Sequence, residues 1–220
     1  MRDVLTRKNV YVEGLPAEAE FKDFIDFFLK EHLGRKILDI GCGTGSYGLA
    51  LQKLGFDYRG IDARRDYVAQ ALQRGLKVEV MDAAKLDYAD HSFDTVILFE
   101  VLEHTCDFVS VLREAVRVAR ERVLLTVPNN SELDGLRQAG LTYWHIHTSD
   151  HVNFFTAASL SRILESLGLD FRLSLSEPIH VHRLLPAMAR KPIGLLTRLK
   201  ILRPRFFYRI CGVITKPGSG

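Results

Sequence analysis

One segment of the chain reads Ile37-Leu-Asp-Ile-Gly-Cys-Gly-Thr-Gly-Ser-Tyr-Gly48. Its apolar start predicts a buried strand over 36–40, and the residues after the glycines predict a helix over 46–55. Glycine allows a backbone to turn tightly and to approach a ligand closely. In open α/β sheets, ligands bind beyond the carboxyl ends of the strands. The segment therefore predicts a strand, a turn that faces a ligand, and a helix.

Strand and helix patterns alternate on both sides of this turn. The spacing of apolar residues predicts an amphipathic helix over 16–32. Downstream, the patterns predict strands over 56–61, 77–81, 93–99, 122–127, 170–176 and 179–185, and helices over 66–74, 107–119 and 156–167. Apolar strands that alternate with helices are typical of a parallel sheet covered on both faces. We therefore predict an α/β fold, a doubly wound, mostly parallel seven-stranded sheet with helices on both faces.

The composition is that of a folded protein: 220 residues, of which 47% are apolar and 26% are charged. This length fits one domain with a modest appendage, and the composition excludes a disordered or collagen-like chain. Cys42, Cys106 and Cys211 form no Cys-x-x-Cys pair, which favours a reducing compartment over a zinc ribbon. The N-terminal residues lack the apolar run of a secretory signal, so we expect a cytoplasmic protein.

Positive charge is concentrated near the end of the chain. The last acidic residue is Glu177, and nine of the 30 Lys and Arg residues follow it. Apolar residues from Leu195 to Ile210 have helical spacing, which predicts a domain over 1–182 and a basic amphipathic appendage over 183–220. Two roles are open for residues 191–216: peripheral contact with an anionic membrane, or a packed helix or dimer contact with a solvated basic face. No motif typical of nucleic-acid binding accompanies the charge.

The glycine pattern by itself is compatible with two cofactors. Gly43-x-Gly45-x-x-Gly48 matches the dinucleotide-binding pattern, and Asp62 ends the second predicted strand. A carboxylate at that place accepts hydrogen bonds from the ribose of a nicotinamide cofactor or of S-adenosylmethionine. The turn therefore leaves both cofactors open.

Three further features, taken with the turn, resemble one enzyme family. Asp39 lies two residues before the first glycine, Asp82-Ala83 follow the third predicted strand, and Ser92-Phe-Asp-Thr-Val-Ile-Leu-Phe-Glu-Val-Leu-Glu-His104 covers the fourth. From about residue 36 to 127 the chain resembles class I S-adenosylmethionine-dependent methyltransferases, in particular the ubiquinone-pathway O-methyltransferases and the methyltransferase type 11 and 23 group. The resemblance implies a Rossmann-like methyltransferase fold. An Asn-Pro-Pro-Tyr motif is missing after the fourth strand, which disfavours methylation of adenine or glutamine nitrogen.

The resemblance also implies which residues contact the cofactor. The glycines of the turn would lie against its methionine part, and Asp39 would orient the turn or meet the ammonium group. The acid after the second strand would bind the ribose, and the acid after the third strand would bind the adenine amino group. The implied cofactor residues are Asp39, Gly41, Gly43, Gly45, Asp62, Asp82, Ala83 and Phe99.

Acidic and histidine side chains follow the fourth predicted strand. Glu100, Glu103 and His104 share one face if the chain coils there. The segment looks like that of ubiquinone-pathway O-methyltransferases and of small-RNA 2′-O-methyltransferases, in which two Glu and two His hold a metal that grips adjacent hydroxyls. The resemblance implies a divalent metal, Mg or Zn, on Glu100, Glu103, His104 and His151, with His145 or His147 as substitutes for His151. In the alternative without a metal, Glu103 caps the next helix and His104 lines the substrate pocket.

These observations lead to one predicted function and two alternatives. The prediction is an S-adenosylmethionine-dependent methyltransferase that methylates a hydroxyl of a small-molecule, glycan or lipid-linked acceptor by in-line transfer, with His104 or His151 as the base. The connection over 129–155, with Tyr143, Trp144 and Phe154, would shape the acceptor pocket. The alternatives are an NAD(P)-binding oxidoreductase, which the missing Tyr-x-x-x-Lys pair disfavours, and a non-catalytic S-adenosylmethionine-binding module.

Overall fold

The computed structural model describes residues 18–131, 150–178 and 207–216. In these residues the helices are α1 Glu18–Glu31, α2 Ser46–Lys53, α3 Arg65–Gln73, α4 Phe108–Val118 and α5 Ala157–Ser166, and a 3₁₀ turn spans Leu102–His104. The strands are β1 Lys36–Ile40, β2 Asp57–Asp62, β3 Val78–Val80, β4 Phe93–Phe99, β5 Ala119–Pro128, β6 Asp170–Pro178 and β7 Phe207–Thr215. None of the helices described has the length and apolar character needed to cross a bilayer.

The seven strands form one sheet in the order β3-β2-β1-β4-β5-β7-β6. The strands β1 to β5 run parallel to one another, and β7 runs antiparallel to both β5 and β6. The chain builds outward from β1 to β3, then returns to the other side of β1 with β4. This reversal creates a crevice at the carboxyl ends of β1 and β4, where ligands bind in doubly wound sheets.

Apolar residues on both sides of the sheet are buried, as expected for strands covered by helices. Ile37 and Ile97 pack into the cluster that includes Phe28 of α1, while Leu38 and Leu98 pack into the cluster that includes residues of α4 and α5. Successive residues of β1 and β4 therefore point into two different cores. The predicted α/β class, a mostly parallel seven-stranded sheet and the helices on both faces are confirmed.

The predicted helix across Leu195 to Ile210 is wrong at its C-terminal end, because residues 207–215 form β7. Ile210, Val213 and Ile214 are buried, and β7 is hydrogen-bonded on both edges. A position between two strands buries both faces of a segment, so sheet pairing overrides its helical spacing. The appendage predicted over 183–220 therefore does not hold for 207–215, whereas 179–206, including the strand predicted over 179–185, lie outside the described residues.

Candidate active site

The glycine-rich turn connects β1 to α2 as the sequence predicts. Gly41 and Gly45 have φ angles of +74° and +83°, a left-handed conformation that favours glycine. The amide groups of Gly41 and Cys42 donate to the carbonyl of Ile61 at 2.8 and 2.9 Å, so the turn is fastened to the end of β2. A Cβ atom on Gly45 would lie 2.2 Å from Cδ1 of Leu76, so a larger residue here would have to displace the Leu76 side chain and adopt a strained backbone conformation.

Asp62, at the end of β2, braces this turn. One carboxylate oxygen accepts from the Gly43 amide at 2.9 Å, and the other accepts from the Arg64 amide at 2.8 Å. Each carboxylate oxygen has a second lone pair, so Asp62 can accept further hydrogen bonds from a ligand. The residue predicted to bind ribose therefore lies beside the turn with its orientation set by the backbone.

Asp82 follows β3 at the same edge of the sheet. Its side chain is exposed and accepts from the Ala84 amide at 2.9 Å. Ala83 is partly buried and packs against the apolar core beside Ala84. Asp62 ends β2 and Asp82 lies two residues beyond β3, the neighbouring parallel strand, which places two carboxylates along one rim of the crevice.

Asp39 lies in β1 beneath the glycine-rich turn, with 1% of its surface exposed. Its carboxylate accepts a hydrogen bond from the Tyr58 hydroxyl at 2.8 Å. The pKa of Asp39 is raised to about 7, mainly by burial, while the hydrogen bond from Tyr58 opposes the increase and the nearby Asp62 adds to it. Asp39 is therefore a carboxyl group whose charge changes near neutral pH.

Phe99 ends β4 in an aromatic group that α1 and α2 complete. Its ring centroid is 5.4 Å from that of Phe24, 6.1 Å from that of Phe27 and 5.6 Å from that of Tyr47. Only 5% of Phe99 is exposed. The residue predicted to contact the cofactor thus lies against α1, at the end of the strand next to β1.

Three of the predicted metal and catalytic residues come together just beyond β4. Donor atoms of Glu103, His104 and His151 lie within 4.8 Å of one another. The rings of His104 and His151 meet edge to face with centroids 4.7 Å apart, and Nδ1 of His104 is 3.4 Å from a carboxylate oxygen of Asp150. The carbonyl of Glu103 accepts from the Val152 amide at 2.8 Å, which fastens the His151 segment to the 3₁₀ turn.

Burial changes the charge state of this cluster. Glu103 is 1% exposed, and within residues 18–131, 150–178 and 207–216 neither of its carboxylate oxygens has a hydrogen-bond partner. Burial and the nearby Glu100 raise the pKa of Glu103 well above its ordinary value. Burial and the nearby His104 lower the pKa of His151. A buried carboxyl without a partner, close to two imidazoles, fits a divalent cation by donor type.

Glu100, the fourth predicted metal residue, has a different partner. It directly follows β4 with a φ of +56°, and its carboxylate accepts from Nε of Arg209 at 3.0 Å. The Arg209 guanidinium also lies 4.1 Å from the centroid of the Phe24 ring. Glu100 is outside the cluster of Glu103, His104 and His151. His145, His147, Tyr143 and Trp144 lie outside the described residues, whereas Phe154 is described and is 53% exposed.

A family model described as a methyltransferase domain matches residues 12–173. The chain belongs to the class I methyltransferase family. It is 31% identical to the ubiquinone biosynthesis O-methyltransferase of Aeromonas salmonicida, over 62% of this chain and 63% of the relative. It is 32% identical to the ubiquinone biosynthesis O-methyltransferase of Methylococcus capsulatus, over 65% of this chain and 68% of the relative. The match thus spans about two thirds of the length of these relatives.

Solved structures agree with this methyltransferase fold. A methyltransferase from Archaeoglobus fulgidus, described as dependent on S-adenosylmethionine, superposes with a TM-score of 0.68 at 19% identity, covering 90% of this chain and 94% of that chain. A magnesium protoporphyrin IX methyltransferase from Synechocystis with bound S-adenosylhomocysteine gives a TM-score of 0.61 at 18% identity, covering 90% and 83%. The predicted family is confirmed.

Sequence reasoning missed two residues beside the candidate site, Arg209 and Tyr58. Arg209 lies in a segment with helical spacing, and no local pattern indicates that its strand reaches Glu100, which is 109 residues earlier. Tyr58 reads as an ordinary aromatic residue of a strand, although its hydroxyl bonds to Asp39. In both cases the signal is a buried polar group that needs a partner, and this becomes visible once the strands are paired.

Proposed function

We propose that this methyltransferase domain binds S-adenosylmethionine in the crevice beside β1 and transfers its methyl group to a hydroxyl oxygen. The observation that carries the proposal is the position of two imidazoles and a buried carboxyl group beyond β4, next to the strand that carries the glycine-rich turn. The names of the two O-methyltransferase relatives support an oxygen acceptor, and the Synechocystis structure with S-adenosylhomocysteine supports the cofactor.

The cofactor would lie along the rim formed by the turn, Asp62 and Asp82. Asp62 would accept hydrogen bonds from the ribose, and the exposed carboxylate of Asp82 would accept from the adenine amino group. Methyl transfer from a sulfonium is an in-line displacement, so alignment of the acceptor oxygen, the methyl carbon and the sulfur is the main requirement. Such positioning contributes about 7–11 kcal/mol to a reaction of this type.

A hydroxyl acceptor must also lose its proton. His151 suits this role because its lowered pKa keeps the ring neutral, and a neutral imidazole accepts a proton. Asp150 lies at Nδ1 of His104 and orients that ring against His151. The proton would pass from the acceptor hydroxyl to His151 and then to water, a contribution of about 10²–10⁴-fold in rate.

In the alternative with a metal, Glu103, His104 and His151 would hold a divalent cation. The cation would then take the place of His151 as the base, because its charge would lower the pKa of the acceptor hydroxyl. Glu100 does not complete this set in the structure, because its carboxylate is paired with Arg209. Of the four residues that the sequence predicts as metal ligands, Glu103, His104 and His151 therefore remain candidates.

Calorimetry with S-adenosylhomocysteine, with NADH as the control ligand, tests the cofactor. We expect S-adenosylhomocysteine alone to bind. Binding of NADH alone would overturn the proposal in favour of the oxidoreductase alternative. Binding of S-adenosylhomocysteine without methyl transfer to any acceptor would support the non-catalytic module.

The histidine roles require an assay with a hydroxyl acceptor, such as release of S-adenosylhomocysteine with a panel of small phenols and polyols. We expect His151→Ala to lower kcat by about 10²–10⁴-fold, and His104→Ala to lower it by a smaller factor. His91→Asn is the matched control, because His91 is exposed, bonds to the Ala119 carbonyl and has a φ of +56° that Asn tolerates. Equal kcat values in the unmodified protein and in all three variants would contradict the catalytic assignment.

The same assay, run with and without EDTA, tests whether a divalent metal takes part.

A further inference from the structure

Tyr58 of β2 is a buried side chain that the proposed reaction does not use. It is 4% exposed, and its hydroxyl donates to Asp39 on the neighbouring strand β1 at 2.8 Å. The bond joins two strands directly beneath the glycine-rich turn, because Asp39 lies two residues before Gly41. The Tyr58 hydroxyl is therefore linked by one hydrogen bond to the base of the cofactor crevice.

Two glycines make room for the Tyr58 side chain. A Cβ atom on Gly48 would lie 2.4 Å from Cζ of Tyr58, and a Cβ atom on Gly60 would lie 2.7 Å from its hydroxyl oxygen. Gly48 is the last glycine of the pattern that matches the dinucleotide motif. In this chain, that glycine accommodates the Tyr58 ring.

The groups around Asp39 have opposing effects on its charge. Burial disfavours the carboxylate, and so does Asp62 at the end of β2, whereas the hydrogen bond from Tyr58 favours it. Cys42 of the turn belongs to the same cluster, and burial raises the pKa of its thiol, so Cys42 stays neutral. Burial also raises the pKa of Tyr58 well above its ordinary value, so its hydroxyl keeps the proton that it donates. Among these groups, the Tyr58 hydroxyl is the one that stabilises a negative charge on Asp39.

We propose that Tyr58 is a positioning residue of the cofactor site, which keeps Asp39 ionised beneath the turn so that this carboxylate attracts positively charged S-adenosylmethionine. The proposal rests on the cofactor named under the proposed function. S-adenosylmethionine carries a sulfonium charge that S-adenosylhomocysteine lacks, and the interaction of a buried charge with a ligand charge is weakly screened. The charge of Asp39 therefore affects the binding of S-adenosylmethionine more than that of S-adenosylhomocysteine.

Calorimetric titration of the intact chain with each of the two ligands, between pH 6 and pH 8, tests this role. In the unmodified protein we expect affinity for S-adenosylmethionine to increase with pH through about 7, the pKa of Asp39. Tyr58→Phe keeps the ring and removes the hydroxyl that lowers the pKa of Asp39. The increase in affinity for S-adenosylmethionine should therefore occur at a higher pH in this variant. At pH 7 we expect affinity for S-adenosylmethionine to fall about two- to fivefold, because raising a pKa of about 7 by up to one unit lowers the ionised fraction by that factor.

Two further variants separate charge control from packing. Asp39→Asn should make the binding of S-adenosylmethionine no more dependent on pH than the binding of S-adenosylhomocysteine. In the Asp39→Asn background, Tyr58→Phe should then cause no further loss of affinity for S-adenosylmethionine. Tyr88→Phe is the matched control, because the Tyr88 hydroxyl lies 3.3 Å from Glu79 and away from Asp39. Titration of the ligand's own amino group is common to all variants, so differences between variants report on the protein.

The outcomes are distinct. A loss of affinity in Tyr58→Phe that is equal at every pH, equal for both ligands and additive with Asp39→Asn would show a packing role and would overturn the proposal. If the unmodified protein binds neither ligand at any pH, the proposed function fails and this proposal fails with it. Binding of both ligands without any dependence on Tyr58 contradicts this proposal alone.

Discussion

Asp39 and Glu103 are carboxyl residues that the fold buries at the crevice, and each has a raised pKa because water is excluded from it. Burying a carboxyl group makes its charged form costly, so such a group stabilises the fold less at high pH than at low pH. Asp39 is the better case for measurement, since its pKa of about 7 is accessible in ordinary buffers.

The stability of the protein should depend on pH through Asp39. Between its ordinary pKa of 3.8 and its folded pKa of about 7, the folded state binds more protons than the unfolded state, so stability falls as pH rises. Between pH 5 and pH 8, we expect the free energy of unfolding to fall by about 2–4 kcal/mol more in the unmodified protein than in Asp39→Asn. Urea unfolding at both pH values measures it, with the exposed Asp57→Asn as control. Parallel pH profiles for Asp39→Asn and the unmodified protein would contradict the assignment.

At the scale of secondary-structure elements, β7 connects distant parts of the site. Arg209 of β7 reaches Glu100 at the end of β4 and lies over Phe24 of α1. The side chains of Arg209 and Glu100 are 9% and 16% exposed, so the pair is largely shielded from water. A late strand thus determines the partner of a residue that local sequence assigns to a metal site.

Removing one member of this pair should cost more than removing both. Arg209→Met leaves the Glu100 carboxylate shielded from water without this partner, a loss of about 3–5 kcal/mol in the free energy of unfolding. Adding Glu100→Gln removes that charge and should restore part of the loss. A double-mutant cycle by urea unfolding measures the coupling between the two side chains. Additive effects of the two changes would show that the ion pair contributes nothing.

At the scale of the whole molecule, the sheet is continuous because β7 lies between β5 and β6. Seven residues of β5 pair with β7, and β6 reaches the rest of the sheet through β7. Ile210, Val213 and Ile214 bury their side chains in this position. The domain core therefore includes residues near the end of the chain.

A chain truncated after Phe206 should lose its cooperative fold. Burial of Ile210, Val213 and Ile214 contributes about 1.5–3 kcal/mol each. The free energy of unfolding of a whole domain is about 5–15 kcal/mol, so losing these three side chains removes a large part of it. Loss of the strand also leaves two strand edges unpaired. Thermal unfolding followed by circular dichroism compares this truncation with one after Lys216, which retains β7. A cooperative transition at the same temperature in both chains would show that β7 is dispensable.

Local sequence determines much of this fold and part of the site. The apolar runs predict β1 and β4 at their observed bounds, because a strand buried on both faces requires consecutive apolar residues. The turn, Asp62 and Asp82 are also predictable, since each follows a strand directly and the carboxyl ends of parallel strands share one edge. These features depend on residues that are close together in the chain.

Tertiary structure decided the remaining contacts. The position of β7, the pairing of Arg209 with Glu100 and the bond from Tyr58 to Asp39 join residues from 19 to 109 positions apart. No local pattern specifies them, because they depend on the order of strands in the sheet and on which buried polar groups then find a partner. The sequence by itself therefore determined the family, the crevice and its acidic rim. The charge states and partners of the residues in the crevice follow from the folded core, where burial makes each unpaired polar group costly.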